Sequence, residues 1–161
     1  GGLYTRLAEE VRVKRGLTYG IYCYFARREY TGEYLLSTFT KAESALETIE
    51  VCLNELRRIR NEPVSEKELA DAKMSLIGSH PLRYEQYEDI AQTLVHMNFY
   101  GLPMSDVTGY ADSVGAVTVD DVRQVARKYI HPDDIVITVV GPADVLRDEL
   151  EKVGPVVVVN P

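Results

Sequence analysis

With 161 residues, 45% hydrophobic and 27% charged, the chain has the make-up of a folded globular protein and not of a disordered one. Its formal net charge of -7 and its pI near 5.0, with no dense Lys/Arg stretch, point away from nucleic acid. There is no apolar run of about 18 residues to cross a membrane, and Cys23 and Cys52 lack CxxC spacing, so they read as small buried hydrophobes of a reducing compartment, the cytoplasm.

Leu3, Leu7 and Val11 recur every four residues before Lys14, Arg15 and Gly16, which predicts an amphipathic helix with a basic last turn and a glycine stop. From Leu17 to about Arg28 the pattern becomes aromatic and strand-like, with Tyr22, Tyr24 and Phe25 expected in the sheet core. Thr31-Gly32 makes a turn, and Glu33 to Thr40 reads as the hairpin partner. Thr40-Lys41-Ala42-Glu43 has capping-box form before a helical stripe of Leu46, Ile49, Leu53, Leu56 and Ile59.

Ser65-Glu66-Lys67-Glu68 caps a second helix that carries Leu69, Ala72, Leu76 and Ile77 and is broken by Pro81. Tyr84, Tyr87, Ile90, Ala91, Leu94 and Met97 continue helically to Gly101, and a short helical piece is expected over 105–114. Thr118-Val119-Asp120-Asp121 opens a helix that ends at His131-Pro132. Ile135 to Val140 reads as a short buried strand, Pro142 to Val153 as a helix and Val156 to Val159 as a last strand. The order predicts an α+β fold, a mostly antiparallel sheet with helices packed on one face, as a single domain over 1–161. Nothing in the pattern suggests a linker or repeat.

Chemical motifs are sparse. His80, His96 and His131 are the only histidines, none has a second His at ligand spacing, and neither HExxH nor HxxEH occurs. No GxSxG elbow or glycine-rich phosphate loop is present. Glu85, Glu88 and Asp89 form an acidic cluster that reads as a solvated helix face, as does Arg57-Arg58-Ile59-Arg60.

One stretch is more specific. Arg12-Val13-Lys14-Arg15-Gly16-Leu17-Thr18-Tyr19 resembles the R-x-K-x-G-L-x-Y signature in the C-terminal half of insulinase/pitrilysin-type inverted zinc metallopeptidases. Further pieces follow in family order. Gly2-Leu3-Tyr4-Thr5-Arg6-Leu7 is similar to the glycine-led "SRL" helix opening, and Val64 to Lys73 resembles "VTEEELERAK". Tyr100-Gly101-Leu102-Pro103 resembles "YGRP", Val117 to Val122 "VTAEDV", and Val139-Val140-Gly141-Pro142 the terminal "VVGP".

The resemblance implies one half of a two-halved peptidase, with zinc bound by the other half through HxxEH and a distant Glu, and none in this chain. It also implies that the strand and helix with which a complete half begins are lacking here, which would leave a sheet edge open to a second copy. By the same resemblance, Tyr19 would donate its hydroxyl to the oxyanion of the reaction and Arg12 would hold a substrate backbone carbonyl. Water activated by zinc in the other half would attack the peptide. The expected partners are the zinc-bearing half, in the same polypeptide or a separate subunit, and a peptide substrate. An inert structural subunit of the same fold is the other reading that the resemblance allows.

Overall fold

A computed structural model describes residues 5–27 and 30–159. The chain falls into two compact units, 1–61 with 127–161, and 62–126.

The first unit opens with a helical stretch whose first turn is α-type, Glu9 N–H donating to the Thr5 carbonyl at 2.9 Å. It then widens into a seven-residue π-helix, Ala8–Lys14, where an α-helix would be the default. Two strands follow, β1 (Ile21–Arg27) and β2 (Gly32–Thr38), paired antiparallel with Ile21 opposite Thr38 and Phe25 opposite Tyr34. β1 starts four residues later than the aromatic pattern predicts, because Leu17 to Gly20 form the connection, and β2 stops at Thr38. Residues 28 and 29 of the predicted turn lie outside the described residues, as do residues 1–4 of the predicted first helix.

The hairpin's inner face carries Ile21, Cys23 and Leu36 onto Leu7, Ala8 and Val11 of the opening helix and onto Val51 and Cys52 of α1 (Ala45–Asn61). Val11 is wholly buried, and burying such a side chain stabilises the fold by about 1.5–3 kcal/mol. Tyr22 and Tyr24, expected in the sheet core, point from the opposite face and are more than half exposed. Phe25 shares the inner face with Tyr34, the rings 4.9 Å apart, yet it too is half exposed.

The capping box expected at Thr40 does not form. A 3-10 turn at Ala42–Ser44 leads into α1 without a side-chain cap, and the Thr40 hydroxyl donates to the Leu17 carbonyl instead, at 2.8 Å. In the same unit the segment 135–140 pairs with no strand among the described residues. Val136 and Val140 stand almost fully exposed, and Val157 and Val159 nearly so. The strands expected over 135–140 and 156–159 are therefore absent, since strand-forming side chains make no strand without a backbone partner. Between the two segments lies α7 (Ala143–Leu150), shorter at both ends than predicted.

The second unit is helical. α2 (Glu66–Ser79) starts at Ser65 with the predicted capping box: Ser65 Oγ accepts from Glu68 N–H at 3.2 Å, and Glu68 accepts from Ser65 N–H at 2.8 Å. α3 (Tyr87–Tyr100) ends at Gly101, whose φ of 62° lets Leu102 N–H reach the Met97 carbonyl at 2.8 Å. The single short piece expected over 105–114 is two, α4 (Ser105–Thr108) and α5 (Tyr110–Ala116), interrupted at Gly109. α6 (Val119–Tyr129) begins at Thr118, which exchanges bonds with Asp121, and the boundary between the units falls within it. The architecture is α+β, with a two-stranded antiparallel sheet and helices on its inner face.

Candidate functional site

Arg12 lies in the last turn of the π-helix, and the chain must then reverse to bring Tyr19 back towards it. Gly16 makes the reversal, at a φ of 63° that L side chains rarely adopt. Its N–H donates to the Arg12 carbonyl at 3.1 Å, and Leu17 N–H donates to the Val11 carbonyl at 2.9 Å. This is a Schellman-like closure in which each bond reaches one residue further back than after an α-helix, as the wider π-turn requires. Tyr19 is placed in the connection and not at the start of the strand, where the aromatic pattern had put it.

The structure brings the two together. The Arg12 guanidinium carbon sits 4.8 Å from the centre of the Tyr19 ring, a cation–π contact. Tyr19 is 89% exposed, and its hydroxyl has no hydrogen-bond partner among the described residues. Arg12 is half-buried and faces no carboxylate there either. Its neighbours Lys14 and Arg15 are engaged by Glu10, at 2.6 and 3.3 Å. Hydrogen bonding from Lys14 and the nearby positive charge hold the Glu10 carboxyl below its ordinary value. Glu10 thus occupies two of the three cations at this helix end, and Arg12 keeps its donors for something else.

The connection that carries Tyr19 is held by four threonines that composition and periodicity did not single out. Thr18 is buried; its hydroxyl donates to the Gly20 carbonyl at 2.9 Å and accepts from Gly20 N–H at 3.1 Å. The Thr38 hydroxyl is in reach of both Thr18 Oγ1, at 2.9 Å, and the Gly20 carbonyl, at 3.0 Å. Thr40 fixes the Leu17 carbonyl, and the buried Thr48 donates to Thr40 Oγ1 or to the Ser44 carbonyl. Residues 17–20 are therefore tied to the end of β2 and, through Thr48, to α1. Tyr19 itself is free at its tip while its backbone is fixed. The only sequence signal for this was a threonine at nearly every joint of the unit, and threonine at strand ends is too common to be specific.

The other candidates resolve into structural roles. The His80 ring stacks on Tyr110, centroids 3.9 Å apart, with Nε2 3.3 Å from the Tyr84 hydroxyl. His131 Nε2 is 3.0 Å from the Lys128 carbonyl, and His96 lies against Tyr100. Glu85, Glu88 and Asp89 are exposed, and Arg57 pairs with Asp133 at 2.9 Å. Among the described residues no three His, Cys, Asp or Glu side chains come together as a metal would need, so this chain's residues do not fit a zinc ion. No helix among them is long and apolar enough to cross a membrane. A cavity of about 440 Å³ lies between β2, α1 and residues 135–142. Neither Arg12 nor Tyr19 lines it.

A π-helix, a sharp glycine reversal and an Arg/Tyr pair beside a hairpin define a class, the metal-free domains of two-halved peptidases. Residues 1–76 match the family model described as the peptidase M16 inactive domain. A crystal structure of a peptidase M16 inactive domain from Pseudomonas fluorescens is similar over 82% of this chain and 31% of that one, at 33% identity and a TM-score of 0.73. A conserved protein from Enterococcus faecalis shares the fold over 80% of this chain and 30% of that one, at 20% identity and a TM-score of 0.66. The chain is 25% identical over 147 residues to the non-peptidase homolog YmxG of Helicobacter pylori, spanning 88% of this chain and 33% of that protein. It is 27% identical over 144 residues to the uncharacterized zinc protease SCO5738 of Streptomyces coelicolor, spanning 88% of this chain and 31% of that protein. The chain thus spans about a third of the length of the curated relatives it matches. It belongs with the peptidase M16 family, as a domain of the inactive, C-terminal-half type.

Proposed function

We propose that this chain acts, as one domain, as the substrate-binding half of a zinc-dependent peptidase, and that it supplies Arg12 and Tyr19 to a zinc site carried by another half. The observation that carries this reading is the pair itself: an arginine without a carboxylate partner stacked on a tyrosine whose hydroxyl is free, both on a rigidly tied backbone. Burying such a pair against a peptide would give the guanidinium a carbonyl to hold and the phenol hydroxyl an oxyanion to donate to. An oxyanion donor of this kind supplies about 3 kcal/mol of transition-state stabilisation. The two free cysteines favour a reducing compartment such as the cytoplasm.

A catalytically inert partner subunit is the second reading, favoured by the inactive-domain description of the matching family model and by the non-peptidase relative. The test is reconstitution with a zinc-bearing half and assay on a quenched-fluorescent peptide library. The first reading expects chelator-sensitive cleavage that falls on the order of a hundredfold in Tyr19→Phe and markedly in Arg12→Ala. A stable complex without hydrolysis, or hydrolysis indifferent to both substitutions, supports the inert subunit instead.

A further inference from the structure

Two features of the first unit are unused by the site above. One is the cavity of about 440 Å³, bounded by residues 34–42 on one side, residues 135–142 on the other, and Ala45, Cys52 and Leu56 of α1 at its floor. Both walls offer backbone. β2 pairs only with β1, so its second edge is unmatched among the described residues, and 135–140 makes no backbone hydrogen bond there. Every lining side chain but Lys41 is uncharged, in a chain whose net charge is -7.

The other feature is the segment 155–159, Pro-Val-Val-Val-Val. It is uncharged, β-branched and without a hydrogen bond among the described residues, with Val157 and Val159 each 83% exposed. Side chains of this kind favour strands, and exposed they favour association. Five residues in a strand span ~17 Å, against ~20 Å for the six-residue wall 135–140.

We propose that the cavity is a strand position, filled by residues 155–159 of a second copy of this chain. The inserted strand would bond to the free edge of β2 on one side and to 135–140 on the other. Neutral lining meets neutral strand, so no charge is desolvated without a partner. Each copy carries one groove and one segment, so the exchange is reciprocal and closes as a two-fold dimer. This inference does not depend on the peptidase reading, because it uses neither Arg12 nor Tyr19.

The test is light scattering coupled to size exclusion on the full chain over a concentration series, together with binding of a fluorescent peptide of residues 154–161. The expected result is a concentration-dependent dimer that the peptide dissociates. Val157→Asp should weaken dimerisation by roughly tenfold or more, equivalent to about 1.4 kcal/mol, while the Val157→Asp chain still captures the wild-type peptide. Val157 is exposed and unbonded, so the variant should unfold like wild type, which circular dichroism checks. A strict monomer up to the solubility limit overturns the proposal. So does a dimer unaffected by both the peptide and Val157→Asp, which would use another face. Amides of 156–159 that are protected from exchange in a monomer would mean that the chain fills its own groove, and would overturn it equally.

Discussion

Replacing Thr18 by Val keeps the side chain's shape and deletes its hydroxyl, which isolates the polar tie behind Tyr19. The wild-type hydroxyl takes part in three contacts: to the Gly20 carbonyl at 2.9 Å, from Gly20 N–H at 3.1 Å and from Thr38 at 2.9 Å. Thr38 also reaches the Gly20 carbonyl, at 3.0 Å, so that acceptor keeps a donor in the variant. Gly20 N–H does not keep its acceptor. At about 1 kcal/mol for each hydrogen bond lost, with one donor orphaned, Thr18→Val should cost about 2 kcal/mol. For a chain of this length that lowers the melting temperature by about 4–8 °C. Denaturant and thermal unfolding followed by circular dichroism measure it, and faster amide exchange at Tyr19 and Gly20 should accompany it. Thr18→Ser, which keeps the hydroxyl, should cost less than about 1 kcal/mol. A Thr18→Val chain within about 0.5 kcal/mol of wild type, or a Thr18→Ser as costly as Thr18→Val, would show that the methyl and not the hydroxyl holds this connection.

Ser65→Ala removes the acceptor for Glu68 N–H at the start of α2 and should cost about 1 kcal/mol by the same unfolding assay. Gly16→Ala meets no neighbouring atom within 4 Å but forces a Cβ into a backbone at φ 63°, so about 1–2 kcal/mol of strain is expected with no loss of packing. Burial pushes the Cys52 thiol up to about 11, from 9.0. Because the folded value is the raised one, its contribution is complete below pH 9 and is lost as pH rises towards 11, on the order of 2 kcal/mol. Tyr34 is raised by burial and by Cys23, and so it adds to the loss in the same direction. Urea midpoints measured from pH 7 to 11 should therefore fall only above about pH 9, and flat midpoints would contradict the burial of Cys52.

What the sequence made legible was local. The capping box of Ser65 and Glu68, the reversal at Gly16 and the stop at Gly101 each depend on a few adjacent residues, and each formed as read. What it hid was non-local. Nothing in Thr40-Lys41-Ala42-Glu43 says that Thr40 will be drawn to a carbonyl 23 positions upstream and leave its helix without a cap. The valines at 136, 140, 157 and 159 have strand character, but strand formation is decided by whether a backbone edge lies alongside. Tyr22 and Tyr24 were placed inside because aromatic side chains suit both faces of a sheet, and only the alternation set by Ile21 and Cys23 decides which face is wet. The proximity of Arg12 and Tyr19 came from a family resemblance, since seven intervening positions by themselves fit many geometries.

A π-turn holds one residue more than an α-turn, so the stretch Ala8–Lys14 can lose a residue and remain a helix simply by tightening. The loss would not be silent. Each residue of an α-helix advances the chain by about 100° around its axis, so everything beyond the deletion would turn by that angle relative to everything before it. With Val11 seated in the core and Arg12 next to it, one of the two would have to leave its place. The end of this helix therefore behaves as a rotary joint: a single-residue change in length leaves the element standing and re-aims what it carries.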